Sequence, residues 1–307
     1  MAFTASDVKT LRERTGCGMM DCKKALTEAD GDMEKAIEVL REKGLAAVAK
    51  KAGRIAAEGI VVSVVDKEKK VGVVLEVNSE TDFVAKNADF VAFVNRVAKV
   101  IVDSNPADVE ALMSCKDATG EDVASMLQEK VLTIGENIQI RRFERLEGDM
   151  IAYVHGEGRI GVMVMFDTDV ADKEGFEAYG KDVAMQVAAL NAKFVSQDEI
   201  SEEYKEHEKA ILLEQIKNDP KESQKPEKVI NGMIMGRLNK EFKEVCLLDQ
   251  VYVKAEDGKQ SVAKYLEEVS KEVGAPVTLK KFVRFETGEG LEKKEENFAE
   301  EVAAQMK

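Results

Sequence analysis

The sequence has 307 residues, of which 44% are hydrophobic and 34% charged, with a formal net charge of −14 at pH 7. That length suits two or three compact units rather than one small core. No run approaches the ~20 uninterrupted apolar residues of a membrane-spanning helix, and so acidic a chain repels phosphate backbones, so neither a membrane nor a nucleic acid is the expected partner.

The first ten residues hold no apolar signal core and no Arg-rich transit pattern, which points to the cytoplasm. Residues 6–14 read as a first helix, with Ser6 as N-cap and Val8 and Leu11 inward. Thr15-Gly16-Cys17-Gly18 is expected to turn, because glycine accepts positive φ. A second helix over 20–29 is broken at Asp30-Gly31-Asp32, and a third over 33–43 turns Ala36, Ile37 and Leu40 inward and is ended by Gly44. Three short helices in 1–45 make a bundle with a marginal core, and the Ala- and Lys-rich stretch 46–57 reads as a helical linker.

From Glu58 the apolar period becomes two. Strands are expected at 60–65 and 71–77, joined by Lys67-Glu68-Lys69-Lys70. A helix over 87–103 follows, with Phe90, Val91, Val94, Val97, Ala98 and Ile101 on one face; another covers 123–132, and 137–146 alternates as a strand.

Much of this pattern recurs. Glu58-Gly59 returns 89 residues later as Glu147-Gly148, and the same offset pairs Val71-Gly72-Val73 with Ile160-Gly161-Val162, Leu75 with Val164, Phe90 with Tyr179, Val94 with Val183 and Ala98 with Val187. Ile140-Arg141-Arg142-Phe143 is echoed by Leu279-Lys280-Lys281-Phe282. The expected class is therefore α+β: a hairpin, a helix and a returning strand built twice as a duplicated sandwich, over 58–146 and over 147–197 with 246–286.

The second copy is interrupted at 198–245. A polar helix over 198–218, with Ile200, Tyr204, Ile211, Leu212 and Ile216 as its stripe, is broken at Asp219-Pro220 and Lys225-Pro226 and returns over 227–245. Such an antiparallel helical hairpin either packs on its own core or seeks a partner. A helix over 262–273 precedes the last strand, Gly288-Glu289-Gly290 frees the tail 287–307, and 297–306 reads as a terminal helix.

Motifs of covalent chemistry are missing. There is no Gly-rich phosphate cradle and no Gly-x-Ser-x-Gly elbow, and Gly156-Glu157-Gly158 is explained by a hairpin turn. Cys17, Cys22, Cys115 and Cys246 lack a paired spacing and only His155 and His207 could assist them, so neither a metal nor another cofactor is expected and the cysteines read as packed thiols. One loop stands out, Asn78-Ser79-Glu80-Thr81-Asp82-Phe83-Val84, which sets a carboxylate beside an aromatic in a connection. Spacing admits two readings. Asp82 can be a helix N-cap with Phe83 a staple tucked into the core, or Phe83 can be a wedge that enters a partner's crevice.

Residues Leu11-Arg12-Glu13-Arg14-Thr15-Gly16-Cys17-Gly18-Met19-Met20-Asp21-Cys22-Lys23-Lys24-Ala25-Leu26 resemble the N-terminal signature of the elongation factor Ts family, and Glu76-Val77-Asn78-Ser79-Glu80-Thr81-Asp82-Phe83-Val84-Ala85-Lys86 resembles its second signature. Ile134-Gly135-Glu136-Asn137-Ile138, Tyr153-Val154-His155-Gly156, Arg159-Ile160-Gly161 and Arg284-Phe285-Glu286 extend the likeness over essentially the whole chain. The resemblance implies a guanine-nucleotide exchange factor, without catalytic residues, that binds the GDP form of elongation factor Tu. It implies that Thr81, Asp82, Phe83 and Val84 enter the GTPase and dislodge its Mg2+. It also implies that a ubiquitin-associated-like (UBA-like) bundle grips the nucleotide domain through Arg12, Met19, Met20 and Lys23. By the same likeness His155 and Val253 face a further part of that partner, although Lys254 is more polar than the family pattern, and the hairpin is similar to a dimerisation coiled coil, which implies a homodimer. The alternative is a UBA-like protein-binding scaffold without exchange activity.

Overall fold

The structure, a computed structural model, describes residues 3–15, 17–171, 173 and 175–292, with the backbone alone for 45–50. Gly16 of the first turn and the expected helix over 297–306 lie outside the described residues.

The chain opens with α1 (Ala5–Thr15), α2 (Met19–Glu28) and α3 (Met33–Lys51). Val8, Leu11, Cys17, Cys22, Ala25, Leu26, Ala36 and Leu40 form their buried cluster. Thr4 rather than Ser6 caps α1: its N–H and hydroxyl donate to Asp7 Oδ2 at 2.7 and 2.8 Å, and Asp7 N donates back to Thr4 Oγ1 at 3.4 Å. Gly18 has φ −61°, so the turn before α2 does not use it for left-handed backbone. Nor does the third helix stop at Gly44. It runs on to Lys51 because its flank leans on α7 (Val123–Ile134), where a Cβ on Gly44 would stand 3.7 Å from Gln128 Cβ. Leu132 of α7 packs against the bundle's cluster, and Lys51 Nζ donates to Val131 O at 3.2 Å.

The rest of the chain is α+β. Strands β1 (Glu58–Asp66), β2 (Val71–Ser79) and β3 (Gln139–Glu147) form one antiparallel sheet, and β4 (Asp149–His155), β5 (Ile160–Asp167) and β6 (Thr278–Glu286) form a second, each in chain order. Helix α5 (Ala88–Ser104), with α6 (Val109–Met113) and α7, covers the outer face of the first sheet. The outer face of the second is covered by α8 (Phe176–Leu190) and α11 (Val262–Val273). The inner faces share one apolar layer of Val61, Val74, Leu146, Met150, Met163 and Val283. Strand β2 is thus roofed on both sides, and all nine of its residues are buried.

The internal repeat goes further in three dimensions than in the sequence. The bulge between Glu76 and Val77 recurs between Met165 and Phe166, again 89 residues on. Helix α7 recurs 139 residues on as α11, with caps Asp122 and Gly135 matched by Ser261 and Gly274. The same offset of 139 relates Phe143, opposite Leu75, to Phe282, opposite Val164.

Between α8 and α11 the chain makes α9 (Glu202–Asn218) and α10 (Glu227–Val245), which bury Ile200, Ile216, Ile234, Leu238, Phe242 and Cys246 together. Ser201 caps α9 by accepting from Tyr204 N, so residues 197–199 form a separate 3-10 turn rather than the start of that helix. After β6, Gly288-Glu289-Gly290 does not simply release the tail. Gly288 N donates to Glu76 Oε1 at 2.8 Å, which docks the turn on the first sheet. Among the described residues no helix is long and apolar enough to cross a membrane.

Candidate partner-binding site

Helix α4 (Asp82–Ala85) leaves the end of β2 after one residue pair, Glu80-Thr81. Thr81 is its N-cap, with φ −128° and ψ 155°, and its hydroxyl oxygen accepts from Val84 N at 3.4 Å. The base of the loop is held from three directions. Glu136 Oε2 accepts from Glu80 N and Thr81 N, each at 3.0 Å, and Glu136 Oε1 accepts from Thr81 Oγ1 at 2.7 Å. Glu80 Oε1 accepts from Asn137 N at 2.6 Å and pairs with Arg54 at 3.4 Å, while Asn137 Nδ2 donates to Arg54 O at 2.8 Å. Ser79 Oγ donates to Thr81 O at 3.0 Å.

Because Thr81 rather than Asp82 takes the cap, every later side chain is turned by about 100° from the staple arrangement. Val84 and Ala85 then pack on the core, and Phe83 points out. At 81% exposure it is the most exposed large apolar side chain among the described residues. Asp82 stands beside it, its Oδ2 accepting from Lys86 Nζ at 2.8 Å. That bond holds the Asp82 carboxyl below its ordinary range and the Lys86 amine above its own. An aromatic ring and an anion on a fixed base can enter a crevice and present charge at its mouth.

The hairpin turn after β4 lies toward the same end, and with it the sequence-predicted His155. Glu157, in the turn between β4 and β5, acts electrostatically on Lys86. Val61 N donates to Gly158 O of that turn at 2.7 Å, and a Cβ on Gly158 would stand 2.8 Å from Ile60 Cβ. Residues Gly156, Glu157 and Gly158 have φ of 60°, 56° and 101°, which folds the turn tightly enough for this approach. His155 closes β4 at the turn, exposed, with Nδ1 3.0 Å from the Tyr153 hydroxyl.

Lys51, at the end of α3, links the loop base to the N-terminal bundle. Burial and the nearby Arg54 depress its amine, and Glu80, Glu136 and Asp21 act against them. Asp21 belongs to the first turn of α2, beside exposed Met19 and Met20, the latter 62% exposed. Arg12 and Lys23 are exposed on the same bundle.

Val253 has a different support. Its N–H donates to Gln186 Oε1 of α8 at 2.8 Å, and Gln186 Nε2 donates to Val251 O at 3.0 Å. The Tyr252 and Tyr265 rings stack 4.2 Å apart and both hydroxyls donate to Asp182, to which Lys254 is also paired. Burial pushes the Tyr252 hydroxyl up to about 12. Val251 and Val253 are left facing solvent.

Sequence reasoning missed Glu136. It lies in a motif-bearing segment, but its partner Thr81 is 55 residues away, so no local spacing signals the contact.

A sequence model of the family described as Elongation factor TS matches residues 80–289. Among curated proteins, Elongation factor Ts of Clostridium perfringens (strain ATCC 13124) is 55% identical over 304 residues, covering 98% of both chains. Elongation factor Ts of Clostridium novyi is 54% identical over 308 residues, covering 99% of this chain and 98% of its own. Elongation factor Ts of Syntrophotalea carbinolica is 50% identical over 311 residues, covering both chains in full.

Proposed function

The chain belongs to the elongation factor Ts family, and from that premise we propose that it is a cytoplasmic nucleotide-exchange factor that binds the GDP form of elongation factor Tu during translation elongation. The loop Thr81, Asp82, Phe83 and Val84 engages the GTPase: its exposed tip, Asp82 and Phe83, enters and disturbs the Mg2+ and phosphate site, while Thr81 and Val84 hold the tip against the core. GDP in such a site is held by backbone amides around its phosphates and by a cation that neutralises them. Displacing those groups speeds GDP release, and the binding of factor and nucleotide is then negatively coupled in both directions. No covalent step is involved, so no catalytic acid, base or cofactor is required.

The observation that carries this reading is the outward Phe83 on a base fixed by Glu136, Asn137 and Arg54. Leaving a Phe exposed forgoes roughly 1.5–3 kcal/mol of burial, and a ring so placed suits an anchor that is buried only in complex. Arg12, Met19, Met20 and Lys23, on the bundle that we take as UBA-like, form a second contact with the partner. His155 and Val253, on the second unit of the duplicated sandwich, form a third. The exposed Ile211, Val229 and Met235 of α9 and α10 support a homodimer through the hairpin, which sedimentation equilibrium tests.

The decisive experiment is release of labelled GDP from elongation factor Tu with the Asp82→Ala/Phe83→Ala chain. Both side chains are exposed, so folding stability should stay within about 0.5 kcal/mol. Binding to Tu should be partly kept while stimulation of GDP release is lost. Full stimulation by the double variant would remove the wedge.

A further inference from the structure

We propose that Glu136 is a positioning residue for nucleotide exchange, a role that rests on the wedge reading: its carboxylate sets the direction in which Phe83 and Asp82 leave the core. One side chain takes three donors from the loop's first two residues, at 3.0, 3.0 and 2.7 Å. An ionised carboxylate can accept all three because it offers about four lone-pair positions and no hydrogen, and such charge-assisted bonds are the stronger kind.

Glu136 is itself held firmly. It follows Gly135, the left-handed C-cap of α7 (φ 87°), whose N–H returns to Val131 O at 3.1 Å. It precedes Asn137, whose N–H is bound to Glu80. The loop is therefore braced against the end of α7, the helix on which α3 of the N-terminal bundle lies. Without the carboxylate, Thr81 still caps α4 through Val84 N, and solvent can reach the freed donors because the loop base is only part-buried. The chain stays folded and the tip loses its fixed angle.

The test compares Glu136→Ala, Glu136→Gln and Phe83→Ala in labelled-GDP release from elongation factor Tu over rising concentrations of the chain. For Glu136→Ala the maximal release rate should fall about tenfold while the half-saturating concentration moves less than about threefold, since misplacing a contact group costs rate more than binding. Amide exchange over 79–86 should quicken while that of β2 stays slow. Glu136→Gln has the same size but one acceptor oxygen, and should fall between. A maximal rate within about twofold of the unsubstituted chain, with Phe83→Ala impaired, overturns the proposal; so does unchanged exchange over 79–86. An unimpaired Phe83→Ala removes the wedge itself, and this proposal with it. If Glu136→Ala fails to fold, Glu136→Gln decides by the same readings.

Discussion

Gly161 of β5 faces β1 so closely that a methyl group there would fall inside van der Waals contact of Val61 Cγ1. Val61 is fully buried and β-branched, so it has little room to turn aside. Gly72, its counterpart 89 residues earlier, would instead meet the thioether ends of Met150 and Met163, which can swing aside. Gly161→Ala should therefore cost about 1–3 kcal/mol in urea unfolding and Gly72→Ala clearly less. Val61→Ala added to Gly161→Ala should recover part of the loss as a non-additive term; equal costs at both glycines would mean that the sheets part freely. That these glycines matter was legible in the repeat, but the side chains they make room for were not, because those come from the other unit. Phe83 teaches the same lesson. Its spacing allowed a staple or a wedge, and the choice falls to Thr81 and the distant Glu136, which set the helical phase.

Elements bounded by local chemistry were the readable ones. The span of α10 follows from Pro226 before it and that of α11 from Ser261 and Gly274, all local signals. Helix α3 overran Gly44 because its support, α7, lies some eighty residues on, as the contact of Lys51 with Val131 shows. The hairpin offers a sharper case. Gly232 and Gly236 sit inside α10 with open space where a Cβ would be, and Val229 and Met235 are exposed beside them. Glycine inside a helix costs about 1 kcal/mol against alanine, and nothing in the hairpin's own packing uses the room. If a second copy packs there, Gly232→Ala/Gly236→Ala should raise the stability of the single chain by about 1–2 kcal/mol in all and weaken self-association in sedimentation equilibrium. A chain that sediments as one copy at every concentration rules out the homodimer through the hairpin.

At the scale of the molecule the two units are joined by a buried charge as well as by their apolar layer. Glu76 of β2 is fully buried and accepts from Arg141 Nη1 at 2.9 Å, Arg142 Nε at 2.6 Å, Asn78 Nδ2 at 3.1 Å and, from beyond β6, Gly288 N at 2.8 Å. Arg142 also lies over the Phe285 ring of β6, 4.2 Å from its centre. Glu76→Gln removes the charge that Arg141 and Arg142 share and the oxygen that accepts from Arg142 Nε, leaving Arg142 to its ion pair with Glu289 at 3.1 Å. Breaking a fully buried pair costs roughly 3–5 kcal/mol; Arg141 and Arg142 keep 23% and 31% of their side chains exposed, which brings the expected loss to about 2–4 kcal/mol. Since the cluster draws on β2, β3 and the end of β6, amide protection should fall in both sheets together. A loss confined to β2 and β3 would mean that the units hold together without it. Strand β2 also runs straight into the α4 loop at Ser79, so loosening at Glu76 reaches the base on which Phe83 stands. Glu76→Gln should therefore also lower the maximal rate of GDP release, from a position with no side chain at the surface, and an unchanged rate would show that Glu136, Asn137 and Arg54 hold the loop base without help from Glu76.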